Sequence, residues 1–191
     1  MTLKGKILVK TMAPLVLGLA VVMAGCAGGA AAAGNGGGTI AQAVAPAIGV
    51  SPSMTTVKAG DEFDVNIVMK TKSPVRAAGC QLTWTGTGKV ECTGKPVEGD
   101  FFQKAGKSML MGGGYDAATG TKNQVAVSSL VENGSSGEGT LVTFHFKAVA
   151  PGEVNMKLSA ASQDLGLQIT DLADKEIQKS FSKCDGKVVV Q

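Results

Sequence analysis

Residues 77–102 read AAGCQLTWTGTGKVECTGKPVEGDFF. Cys80, Leu82 and Trp84 share one parity, and Gln81 and Thr83 the other. That is the period-2 pattern of a half-buried strand. Gly86-Thr87-Gly88 predicts a reversal of the chain. A short strand then carries Val90 and Cys92 on one side and Glu91 and Thr93 on the other, and the unit leaves through Gly99-Asp100 into Phe101 and Phe102.

The same grammar continues on both sides of this unit. Val50 to Val57 reads as a first strand. After the turn Ala59-Gly60-Asp61, Phe63, Val65, Ile67 and Met69 alternate with more polar neighbours. Downstream come Met109 to Met111, then Val125, Val127 and Ser129, and a turn expected over Asn133-Gly134-Ser135-Ser136-Gly137. Val142, Phe144, Phe146 and Ala148 follow on one face, then Val154, Met156 and Leu158 after Pro151-Gly152, and the closing Lys187 to Val190. Helical periodicity is absent apart from a turn of helix over Asp171 to Lys179. Short strands with this punctuation predict an all-β sandwich or barrel.

At 191 residues the chain has room for one sizeable core plus appendages. Residues 1–25 carry a basic start and then an uncharged run rich in Leu, Val and Ala. This run is shorter than the ~20 residues of a spanning helix and reads as an export signal. Met23-Ala24-Gly25-Cys26 resembles a bacterial lipobox, which implies lipidation of Cys26; an uncleaved anchor helix is the competing reading. Residues 26–47 are rich in Ala and Gly and cannot offset their ordering entropy, so they read as a flexible tether. The domain itself is expected over 48–191. Lys4, Lys6 and Lys10 precede Cys26 and no acid does. Beyond it 15 basic residues face 15 acidic ones, so nothing forms the basic stripe a nucleic-acid partner needs.

Four stretches, in order, resemble the cohesin family: VKAGDEFDVNIVM (57–69), the central unit, GEGTLVTFHFKA (137–148) and DGKVVV (185–190). The resemblance implies an antiparallel jelly-roll β-sandwich of about nine strands, and a non-catalytic module that binds a dockerin-like or other surface protein, with a link to polysaccharide breakdown. Where dockerin-binding cohesins carry an Asn and an Asp early in the central strand, this chain has Ala77 and Gly79, whose side chains cannot hydrogen-bond. The usual Tyr-Asp-Pro corner is replaced by Trp84-Thr85-Gly86.

In an oxidising compartment the remaining cysteines invite pairing. Cys80 and Cys92 share the inward parity on either side of one turn and form the favoured disulfide, worth roughly 3 kcal/mol in the chain-entropy model. Cys184 is then unpaired or a competitor, and burial of all three as small apolar side chains is the bland alternative. His145 is the chain's single histidine and sits on the outward parity, so no zinc set exists. No GxSxG elbow is present. Ala105-Gly106-Lys107-Ser108 imitates a phosphate loop whose first glycine position holds Phe101. Glu98 and Asp100 read as a solvated rim rather than a glycosidase pair. Asp164, Asp171, Asp174 and Glu176 lack the spacing of a calcium loop. The expectation is therefore no enzyme, no metal and no cofactor. The outward face with Gln81, Thr83, Ala126 and Ser128 would meet a protein partner. Carbohydrate binding is the alternative, with Tyr115 as the one aromatic placed for stacking, since Trp84 takes the inward parity.

Overall fold

The structure, a computed structural model, describes residues 43–106, 108–111, 124–159 and 168–191. It is built almost wholly of strands: β1 (Ala47–Ser51), β2 (Met54–Val57), β3 (Glu62–Gly86), β4 (Lys89–Cys92), β5 (Val97–Glu98), β6 (Ser108–Met111), β7 (Gln124–Ala150), β8 (Gly152–Ser159), β9 (Gln168–Thr170), β10 (Ser182–Cys184) and β11 (Gly186–Val190). One short helix, α1 (Asp100–Gln103), and a 3-10 turn at Gln178–Ser180 interrupt them. Among the described residues no helix is long and apolar enough to cross a membrane. The export signal, Cys26 and most of the tether lie outside the described residues; β1 begins at Ala47, one residue ahead of the expected start of the domain.

Two long strands organise everything else. β3 and β7 pair antiparallel from Glu62↔Lys147 to Thr83↔Gln124, with register shifts at Ile67/Val68, Thr71/Val75 and Val75/Ala77. Such shifts bend a ribbon and change which parity faces inward. The inward residues are Val65, Ile67 and Met69 before the bend and Ala78, Cys80, Leu82 and Trp84 after it. The ribbon thereby belongs to two layers. In the upper layer, residues 62–71 of β3 and the second half of β7 are flanked by β1 and β10 on one side and by β4 and β5 on the other. In the lower layer, residues 77–86 and the first half of β7 are flanked by β9, β8, β11 and β2 and by β6. The layers meet face to face: β1 touches β8 and β11, and β4 touches β8, with no ladder between them. Trp84 from the lower layer stands edge-on to Phe146 of the upper one at 5.0 Å, and Phe63 stacks on the other side of Phe146.

Three sequence expectations change. The turn expected at 133–137 is strand: β7 runs through it with Gly134 and Gly137 at positive φ. The first strand is two, broken at Ser51-Pro52-Ser53, because a proline cannot donate to a ladder. Gly86-Thr87-Gly88 does not close a hairpin. It carries the chain from one layer to the other, and β4 pairs with β7 instead of β3. The tight crossing needs glycine, since a Cβ on Gly88 would lie 2.6 Å from the carbonyl oxygen of Gly152.

That crossing undoes the Cys80–Cys92 disulfide. Cys80 lies opposite Val127 and Cys92 opposite Phe146, far apart along β7 and in different layers, and both thiols are free. Cys184 in turn is disulfide-bonded rather than unpaired, its partner outside the described residues. Burial pushes the Cys80 thiol up to about 12 and raises that of Cys92, the latter against a smaller opposing effect of the Gly94 backbone. The sign follows from linkage. Cys80 stays protonated in the folded chain where an unfolded thiol ionises, so its stabilising effect is whole below pH ~9 and is lost as pH climbs toward ~12. Denaturant titrations should show wild type losing about 1.4 kcal/mol more than Cys80→Ala between pH ~7 and pH ~10. Equal losses would contradict the assignment.

Candidate interaction face

The outward side of the lower layer contains the residues singled out in the sequence. On it Gly79 lies opposite Ser128, Gln81 opposite Ala126 and Ser159, Thr83 opposite Lys157, and Thr85 opposite Asn155. Thr83, Ala126 and Ser128 are partly exposed, and Thr85, Asn155 and Lys157 are exposed. Thr83 Oγ1 donates to the Lys157 carbonyl at 3.4 Å. Lys187 on β11 forms a salt bridge to Glu153 at 2.8 Å. The result is a flat, mostly neutral face of small and medium polar side chains. Gln81 is a correction. It is only 3 % exposed, so it cannot be offered to a partner as the partly exposed Thr83 can.

The glycine-acid-aromatic exit has a structural job. Gly99 packs so close to β7 that a Cβ would sit 2.2 Å from the Thr140 oxygen. Asp100 Oδ1 accepts the Thr140 amide at 2.7 Å and Oδ2 meets Lys104. Burial tends to raise the Asp100 carboxyl, but the bonds from Lys104 and Thr140 outweigh it and hold it below the usual carboxylate range. Phe101 and Phe102 plug the core, and the Ser135 hydroxyl donates to the Phe101 carbonyl. Glu98 accepts from buried Ser129 at 2.9 Å. The pair expected on a solvated rim therefore ties α1 and β5 to β7.

His145 faces outward from the upper layer, 42 % exposed, with Nδ1 2.6 Å from Asp64 Oδ1. Its carboxylate companion was legible in the alternation of Asp64 but was missed. A base with an orienting acid needs a nucleophile, and Thr143 beside it gives its hydroxyl to Asn66 Oδ1 at 2.6 Å. The carboxylates near the last strands are spent internally. Asp171 Oδ1 accepts the amides of Ala173 and Lys175, both carboxylate oxygens of Asp174 accept from Arg76 Nη1, and Glu176 accepts from Gln178. Asp164 lies outside the described residues. Among the described residues no three His, Cys, Asp or Glu side chains gather as a metal site. Every described aromatic ring is buried or partly buried; Trp84 is core, and Tyr115 lies outside the described residues.

The fold is cohesin-like. The chain is similar to the non-cellulosomal cohesin of the hyperthermophilic archaeon Archaeoglobus fulgidus, with a TM-score of 0.58, 18 % identity, and 76 % of this chain and 90 % of that one covered. It is similar to type II cohesin A11 of Bacteroides cellulosolvens at a TM-score of 0.60 and 10 % identity, over 76 % of this chain and 99 % of that one. The sixth cohesin of scaffoldin B from Acetivibrio cellulolyticus, solved in complex with a mutant Cel5 dockerin, aligns at a TM-score of 0.57 and 11 % identity, over 76 % and 98 % of the two chains. No protein-family model and no curated protein matches the sequence.

Proposed function

We propose that the protein is an exported, non-catalytic interaction module that binds a protein partner, a dockerin or another surface protein, through the outward face of its lower layer. The observation that carries this reading is that face: a sheet surface with Thr83, Thr85, Ala126, Asn155 and Lys157 on adjacent strands and, among the described residues, no exposed aromatic ring to stack on a sugar. Its cohesin-like fold supports a binding role. Export and tethering rest on the basic, then apolar, first 25 residues and the Ala/Gly-rich stretch after them. The lipobox-like stretch implies lipid on Cys26, and an unmodified Cys26 is the competing outcome. The mass of the Cys26 peptide with and without reductant decides between them.

Titration of the full-length protein in detergent against a panel of dockerin modules tests the partner. Binding is expected with at least one dockerin, and Thr83→Arg or Ala126→Arg should weaken it about tenfold or more, a loss of ~1.4 kcal/mol. Glu62→Arg, on the outward side of the upper layer, should leave it unchanged. Absence of binding to every dockerin removes the dockerin form of the reading and leaves another surface protein as partner; binding indifferent to both arginines overturns the assignment of the face.

A further inference from the structure

Asn133-Gly134 lies in the bend of β7. Between the pairs Val75↔Ser135 and Ala77↔Leu130, β7 carries four residues where β3 carries only Arg76. On its other edge the ladder to β6 reaches no further than Val131↔Ser108. Glu132, Asn133 and Gly134 therefore stand outside both ladders. Asn133 is exposed, and its carboxamide has no hydrogen-bond partner among the described residues. Gly134 is partly exposed at φ +69°, and having no Cβ it places no side chain of its own beside its backbone nitrogen, although Leu172 lies on its Cα side. The other described asparagines are differently placed. Asn66 and Asn155 sit inside paired strands and precede Ile67 and Met156, whose side chains crowd the amide.

We propose that Asn133 is a site of spontaneous deamidation in the folded protein. The Gly134 amide nitrogen, losing its proton, attacks Asn133 Cγ. A new C–N bond forms, the Cγ–Nδ2 bond breaks, and ammonia leaves with the proton, giving a succinimide. Water then opens the ring at either carbonyl to yield aspartate or isoaspartate, with no change in oxidation state. Each product places a carboxylate beside Glu132 at the point where the ribbon bends, and isoaspartate also lengthens the main chain there by one atom. The modification thus marks the age of a molecule after export.

Full-length protein held at mildly alkaline pH, folded or in urea, is digested and read by peptide mass and by enzymatic methylation of isoaspartate. In the folded protein the Asn133 peptide should convert within about tenfold of the rate in the unfolded chain, as expected where local opening costs little. Asn66 and Asn155 should remain amides in the folded protein, and Asn133→Gln should abolish the isoaspartate signal from that peptide. An Asn133 that stays intact in the folded protein while the unfolded chain converts overturns the proposal. So does a signal from that peptide that survives Asn133→Gln.

Discussion

Phe146→Ala is expected to cost about 3–5 kcal/mol, a large share of the 5–15 kcal/mol typical of a domain. The ring is fully buried where the layers meet, edge-on to Trp84 and stacked on Phe63. Truncation removes apolar burial from Phe146 itself, both ring contacts, and support for Trp84, whose indole nitrogen has no hydrogen-bond partner among the described residues. The gap cannot collapse easily, because Phe146 is held by ladders on both edges, to Phe63 and to Cys92. Urea unfolding followed by Trp84 fluorescence reads the effect directly, since Trp84 is the only tryptophan. A loss under ~1 kcal/mol would mean that the layers do not pack through this ring.

Gly152→Ala should cost about 3 kcal/mol for a different reason, combining backbone strain with overpacking. Gly152 has φ +135°, and an added Cβ would fall 2.4 Å from the Gly88 nitrogen. The obstacle is backbone, so no side chain can swing aside. Displacing it would pull the 86–88 crossing off the start of β8 and break the bond from the Gly88 amide to the Glu153 carbonyl. Gly60→Ala is the control, since a Cβ there meets nothing within 4 Å although φ is +98°. It isolates the conformational part. Equal losses in the two variants would show that crowding at the crossing contributes nothing.

Period-2 alternation made most strands legible, because a half-buried strand writes its inward side into the sequence. Val65, Ile67 and Met69, and likewise Phe144, Phe146 and Ala148, face the core as their parity demands. What alternation cannot carry is which strand lies beside which. Cys80 and Cys92 share a parity across a glycine turn, yet the turn crosses between layers, and both partners are set by β7, far along the chain. The bend at 131–134 hid for a similar reason: Asn133 and Gly134 look like a turn, and only the opposing strand shows them to be a bulge in continuous pairing. Of the residues on the candidate face, Thr83, Ala126 and Ser128 are partly exposed, as an outward parity implies. Gln81 is not, because parity fixes a direction and not what stands nearby. Glu98 and Asp100 read as a rim because their bonds, to Ser129 and to Thr140, join distant parts of the chain.

β3 finds its partner some sixty residues downstream, and Glu62 is matched only when Lys147 arrives. In a chain made from its amino end, β3 emerges long before that partner does. Through this interval the edge of β3 that β7 will cover lies bare, open to proteases and to other chains, while β1 is already at hand for residues 66–70 on the other edge. Closure delayed by such distant pairing makes folding of this chain slow relative to one built on local hairpins, and leaves an unpaired edge exposed while it waits.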